Sequence, residues 1–113
     1  MKKRIDKKPW GKEEIFAINE RVSVKIINVN PKKRLSLQKH KYRGEFWRIL
    51  EGDVRVTKGN KKMIVKEGDE LFVKKGVLHR IEALNKPIKV LEISFGKFDK
   101  NDITRVEDDY GRD

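Results

Sequence analysis

The sequence contains no cysteine. Disulfides, thiolate metal sites and cysteine nucleophiles are therefore excluded. Long apolar runs are also missing: none approaches the ~18 residues of a membrane-spanning helix. The opening MKKRIDKKPWG has neither the apolar stretch nor the cleavage site of a signal peptide. A cytoplasmic protein without a membrane partner is the resulting expectation. Leucine and alanine are scarce, 9 together against 21 for isoleucine plus valine. That balance favours strands, because branched side chains fit a pleated surface and alanine suits helices. Histidine occurs twice and glutamine once, so the positions of these three residues carry information.

Charge is abundant. The 113 residues, a length for one domain, carry a formal net charge of +11, and 42% of them are charged. Leu, Ile, Val and Phe still number 33, enough for a core inside a charged shell. The positive charge has three readings: a solubilising coat, a site for a small anion, or a nucleic-acid surface. The lysines are scattered singly and in pairs. There is no zinc-finger spacing, basic helix or RNP-like aromatic run, so no specific nucleic-acid partner is expected. The Lys and Glu enrichment with a single Gln also resembles a thermophile composition.

Turn signals punctuate the chain at short intervals, among them Pro9-Trp10-Gly11, Asn30-Pro31, Arg43-Gly44, Gly52-Asp53, Gly59-Asn60, Gly68-Asp69, Lys75-Gly76 and Asn85-Lys86-Pro87. Between them lie short alternating or apolar runs: 15–18, 22–27, 35–38, 46–50, 54–57, 63–65, 71–73, 79–81 and 88–95. Many short strands at near-regular spacing predict a single all-β sandwich or barrel over residues 1–113. Residues 1–8 are expected to be a loose N-terminal segment. Residues 57–62 read as a hairpin, and helix is confined to a short turn around Asp99 to Ile103. The polar tail from Arg105 is either loose or docked, a docked tail serving as a strap over a barrel edge.

Gln38 and His40 are two apart and share a face if they lie on a strand. Glu45 follows across the Arg43-Gly44 turn, and His79 opens a late strand after Lys75-Gly76. Two imidazoles, a carboxylate and an amide oxygen suit a divalent metal of borderline softness. The alternative is that both histidines are ordinary surface or half-buried residues.

These positions resemble the two cupin motifs, G-x5-H-x-H-x3-4-E-x6-G and G-x5-P-x-G-x2-H-x3-N. The chain supplies Gln38, His40, Glu45 and Gly52 for the first, then Gly68, Gly76 and His79 for the second, at matching spacing. It departs with Lys32 for Gly, Gln38 for His, Lys74 for Pro and Ala83 for Asn. Residues 34–40, RLSLQKH, with 43–47, RGEFW, narrow the resemblance to the type II mannose-6-phosphate isomerases. Three further stretches agree: KPWG at 8–11 with the family's RPWG, GVLHR at 76–80 with its G-x-x-HR, and NDITRVEDDYGR at 101–112 with its closing EDDIVRFEDDYGR. That domain is familiar as the C-terminal part of bifunctional mannose-1-phosphate guanylyltransferase/mannose-6-phosphate isomerases. The guanylyltransferase half is not in this sequence.

The resemblance implies a double-stranded β-helix, a jelly-roll-like barrel that binds one divalent metal through Gln38, His40, Glu45 and His79. Zinc is the first expectation for that metal; manganese, iron and nickel suit the same donors. It implies a homodimer and an aldose–ketose isomerase of carbohydrate metabolism acting on a phosphosugar, mannose 6-phosphate. Relatives often carry histidines where this chain has Lys41, Tyr42 and Phe46, so imidazoles that could move a proton are missing. A non-catalytic metal-containing cupin that binds a sugar or other metabolite is the alternative. Another metal enzyme, such as a dioxygenase, is a third reading, weakened by Gln in place of His.

Strand parity extends the site. On a regular strand, Arg34, Ser36, Gln38, His40 and Tyr42 share one face, and that polar face should line the barrel cavity. Candidate catalytic residues are Arg34, Tyr42 and Arg105. Candidate substrate-binding residues are Arg34, Ser36, Arg80 and Arg112, because a phosphate needs cationic partners and Arg suits it geometrically. Arg34 is alternatively a surface cation after the Asn30-Pro31 turn, and Tyr42 a packing residue at the rim. Trp47 reads as core or as an aromatic wall for a sugar ring. The general base is left open among a Lys, Tyr42 and a tail carboxylate.

Overall fold

The computed structural model describes residues 2–112. The N-terminal segment expected to be loose is a hairpin: β1 (Arg4–Lys8) pairs antiparallel with β2 (Gly11–Ile15). Pro9 and Trp10 make its turn, where proline presets the backbone angle. The base of the hairpin is held by charge. Lys3 Nζ lies 2.9 Å from both Glu14 and Glu70, and Arg48 reaches the same two carboxylates at 3.2 and 2.6 Å. Phe16 then packs on Phe46 with ring centroids 5.2 Å apart. Charged strands paired through ion bridges leave no hydrophobic alternation to read.

Nine strands follow: β3 (Val22–Val29), β4 (Leu37–Lys39), β5 (Arg43–Glu51), β6 (Val54–Lys58), β7 (Lys61–Val65), β8 (Glu70–Val73), β9 (His79–Ala83), β10 (Ile88–Gly96) and β11 (Thr104–Glu107). They form a four-stranded sheet, β3-β10-β5-β8, and a five-stranded sheet, β11-β4-β9-β6-β7, antiparallel throughout. Among the described residues no helix forms, so none is long and apolar enough to cross a membrane. Residues 99–103 make one turn, closed by the Asp102 N–H on the Asp99 carbonyl.

The inward rows build the core. On β6, Val54 and Val56 are fully buried while Arg55 between them is exposed. Val54 and Val56 pack with Trp47, Ile49, Ile81, Ile88 and Val90 from both sheets, each such side chain worth about 1.5–3 kcal/mol on burial. The β6–β7 hairpin turns on Gly59-Asn60, with positive φ at Gly59 alone, the pattern of a type II′ turn. Two other glycines are required. Gly52 has φ +85° at the β5–β6 turn, and a Cβ there would lie 2.8 Å from the Pro87 carbonyl. Gly96 has φ +107°, and a Cβ would meet the Tyr42 carbonyl at 2.5 Å. The first cupin glycine position carries Lys32, whose φ is +63°. The backbone thus keeps a conformation that favours glycine while a lysine occupies it.

The tail is docked. β11 pairs with β4 and covers that edge of the five-stranded sheet. Beyond it, Asp109 receives Arg34 in a two-pronged bridge at 2.7 and 2.9 Å, and the Tyr110 hydroxyl donates to the Arg34 carbonyl at 2.9 Å.

Candidate metal centre

Glu45 lies on the inward row of β5 with Arg43, Trp47 and Ile49. Across the barrel, β4 and β9 place Gln38 and His79 in register. His40 follows directly after β4, its carbonyl accepting the Gly76 N–H at 2.8 Å. The Glu45 carboxylate sits between the imidazoles, Oε2 3.1 Å from His40 Nε2 and Oε1 3.4 Å from His79 Nε2. All three residues are buried, and their ligand atoms fall within 4.8 Å of one another.

The ring orientations decide what this cluster can bind. His40 Nδ1 is 2.7 Å from the Asp102 carbonyl, and His79 Nδ1 is 2.9 Å from the Val77 carbonyl. A carbonyl only accepts, so each Nδ1 carries the proton and each Nε2 presents a lone pair to Glu45. The Arg43 guanidinium donates to the His40 Nε2 lone pair at 3.3 Å, while the His79 lone pair faces Glu45. Two imidazole nitrogens and a carboxylate are a donor set that fits a divalent metal. Gln38 lines the same cavity and donates its Nε2 to Ser36 Oγ at 3.0 Å. That bond leaves the amide oxygen as its acceptor end.

The surroundings hold the carboxylate in place. Trp47 Nε1 donates to Glu45 Oε1 at 3.2 Å, and Arg43 Nε donates to Oε2 at 3.3 Å. The Asp102 carboxylate accepts the N–H groups of Lys41 and Tyr42 at 2.8 and 2.9 Å, which fixes the loop beside His40. Burial pushes the Glu45 carboxyl up, but its contacts with His40 and Glu92 outweigh this and hold it below the usual carboxylate range. Burial lowers the His79 imidazole and keeps it neutral, the form a metal needs.

The cavity has a volume of about 340 Å³. Lys25, Lys100, Arg105 and Arg112 line it together with the buried pair Glu45 and Glu92. Phe98 is flanked by cations, Arg43 at 4.5 Å and Lys25 at 5.1 Å from its ring. A larger groove of about 530 Å³ runs between residues 2–4 and 15–20, but it contains no part of the imidazole–carboxylate cluster.

The structure therefore brings Gln38, His40, Glu45 and His79 together and puts Arg105 and Arg112 on the same cavity. Ser36 is buried and orients Gln38. Three expected site residues lie elsewhere. Arg34 is engaged by Asp109 on the outer surface, and Tyr42 is 50% exposed. Only Leu37–Lys39 is strand, with Arg34 in an isolated bridge to Glu82, so the two-residue alternation does not extend to either end. Arg80 alternates with His79 on β9 and points to the opposite face, donating to the Leu35 carbonyl and Glu107. The expectation passed over Glu92, which is 3% exposed. Its signal was the inward row Ile88, Val90, Glu92, Ser94: a carboxylate at an alternating buried position. Burial, then the hydrogen bond and charge of Glu45, push the Glu92 carboxyl up to about 8.

Residues 2–108 match the family model described as Mannose-6-phosphate isomerase C-terminal. The chain belongs to this family. Among curated members it is 36% identical over 107 residues to the Xanthan biosynthesis protein XanB of Xanthomonas campestris pv. campestris, covering 93% of this chain and 23% of the relative. It is 35% identical over 107 residues to the mannose-1-phosphate guanylyltransferase ManC of Salmonella typhimurium, covering 93% and 22%. The chain thus spans less than a quarter of the length of these relatives. A solved structure from Klebsiella pneumoniae, described as having a double-stranded beta-helix domain, superposes with a TM-score of 0.68 at 16% identity, over 81% of this chain and 80% of that one. The barrel of this mannose-6-phosphate isomerase C-terminal domain is that double-stranded β-helix, the cupin fold.

Proposed function

We propose that the chain is a metal-dependent aldose–ketose isomerase that interconverts mannose 6-phosphate and fructose 6-phosphate. One observation carries the reading: Glu45 and His79 of the imidazole–carboxylate cluster line a cavity with Lys25, Lys100, Arg105 and Arg112, besides the Arg43 that holds Glu45. Gln38, His40, Glu45 and His79 would hold a divalent metal, with zinc as the first candidate. Bound there, such an ion supplies Lewis acidity toward the sugar's carbonyl and hydroxyl oxygens. Arg105, Arg112, Lys25 and Lys100 supply the positive charge that a phosphate monoester requires. Trp47 and Arg43 hold Glu45, and the Val77 and Asp102 carbonyls fix the imidazoles, so the donors keep their geometry. We further propose that the chain works as a homodimer. The support is apolar surface left open on the β1–β2 hairpin and on β3.

The test is a coupled assay on metal-loaded protein with mannose 6-phosphate, alongside deuterium exchange from solvent at C2. Wild type is expected to convert and to exchange. His79→Ala is expected to lose both, with metal content falling well below one per chain. A second reading is favoured by the two imidazoles, whose nitrogens are all engaged: a non-catalytic metal-containing cupin that binds a phosphosugar. In that case mannose 6-phosphate raises the melting temperature of the metal-loaded protein, while neither conversion nor exchange is detected.

A further inference from the structure

We propose that Glu92 is the proton-transfer residue of the cavity. The inference rests on the isomerase reading above. Moving a hydrogen between C1 and C2 of an open-chain sugar needs a group that takes the proton and returns it within hydrogen-bond reach. The two imidazoles cannot serve, because each turns Nε2 toward Glu45 and commits Nδ1 to a backbone carbonyl. Glu45 is committed to the cluster, held by Trp47 and Arg43. Of the bases left open by the sequence, Tyr42 is half exposed and does not line the cavity, and the lining Lys25 is paired with Glu92 itself at 3.7 Å. Among the carboxylates lining the cavity, Glu92 is the one outside the metal cluster.

The placement of Glu92 is specific. On β10 it stands in register with Trp47 of β5 on one side and Lys25 of β3 on the other. Ser94 Oγ donates to its Oε1 at 3.3 Å, and Lys25 Nζ lies 3.7 Å from its Oε2. It continues an inward row that begins with the apolar Ile88 and Val90. Packing alone would favour another apolar residue there, since a buried carboxyl is costly unless it is used or fully paired.

The reaction balances on this one group. The Glu92 carboxylate takes the hydrogen from C2 as a proton, and the C–H electron pair forms the C1=C2 double bond. The C1=O π pair moves to O1, which takes up the proton released by the O2 hydroxyl. The O2–H electrons then form C2=O, the C1=C2 pair takes the proton back from Glu92 onto C1, and the carboxylate is restored. No oxidant, reductant or further reactant is consumed.

The test uses the metal-loaded full chain carrying Glu92→Gln, which keeps the shape and the acceptor for Ser94 but cannot take the proton. Metal content and melting temperature are expected to match wild type, and mannose 6-phosphate is expected to bind within about threefold by calorimetry. Conversion and C2 exchange are expected to fall together by ~10²–10⁴-fold. Glu92→Asp, which keeps the carboxylate, should recover part of the rate and serves if the Gln variant folds poorly. Wild-type exchange in Glu92→Gln overturns the assignment to Glu92 and leaves the isomerase reading standing. Loss of metal in Glu92→Gln also overturns it, in favour of a ligand role. A wild type that neither converts nor exchanges overturns the isomerase reading and this inference with it.

Discussion

At His79 three constraints converge on one ring. Its Nδ1 is fixed to the Val77 carbonyl, its edge packs against Trp47 at 5.5 Å, and its Nε2 faces Glu45. Burial keeps its imidazole below the ordinary value of 6.5, and this has a definite sign. Just below pH 6.5 the unfolded chain binds a proton at this position that the folded chain refuses. Stability is therefore complete above that pH and is lost as pH falls through it. Protons also compete with a metal for Nε2. The rise in melting temperature produced by added metal is expected to be constant above about pH 7 and to shrink as pH falls below ~6.5. Thermal denaturation with and without chelator between pH 5 and 8 measures this; a metal effect unchanged at pH 5 would contradict it. The spacing of Gln38, His40, Glu45 and His79 made this grouping legible in the sequence, because three of them sit on one short local segment. Glu92 was not legible in the same way. Nothing near it in sequence belongs to the imidazole–carboxylate cluster, and only the pairing of β10 with β5 brings it to Glu45.

At the level of elements, legibility follows how well each strand buries one face. β6 alternates, while β5 and β10 carry long buried runs, and all three stand out in the sequence. β1 and β2 are held by ion bridges at their base, so hydrophobic periodicity had nothing to report. β4 is only three residues long, and extending its parity to Arg34 and Tyr42 misplaced both. Arg34 takes part in docking the tail instead. Its guanidinium holds Asp109 while its carbonyl receives the Tyr110 hydroxyl, so the strap is latched on both sides of one residue. Arg34→Ala and Asp109→Ala are expected to act in the same direction. Each should speed backbone hydrogen exchange in residues 104–110 several-fold, and the double variant should add little to either one. The fall in melting temperature should be small, because the pair is partly exposed. If Arg34 instead held a substrate phosphate, Asp109→Ala would free it and tighten phosphosugar binding. Calorimetry on the two variants separates these outcomes.

The whole molecule is elongated, 51 × 32 × 22 Å, with a two-stranded hairpin that joins neither main sheet. Such a hairpin is marginal in water without a third strand or an apolar surface to lie on. It exposes Ile5 and, at its turn, Trp10, which is 72% accessible. On the barrel, β3 is an edge strand of the four-stranded sheet, with Val24 and Ile26 60% and 54% accessible on its outer face. A free strand edge beside exposed apolar side chains invites pairing with another chain. A second copy brings the same hairpin and the same edge, so both surfaces can be covered reciprocally by two-fold symmetry. Charge works against this association, since each copy carries +11. Added salt screens that repulsion over a Debye length of about 10 Å at 0.1 M. The dimer should therefore tighten as salt rises, the reverse of an association driven by opposite charges. Sedimentation equilibrium from 0.05 to 0.5 M salt is expected to show a dimer whose dissociation constant falls with salt. Trp10→Lys combined with Ile26→Lys should shift the protein to monomer while leaving metal content and β-sheet signal intact. A wild type that remains monomeric at high salt and high protein concentration would mean that these apolar surfaces stay open to water.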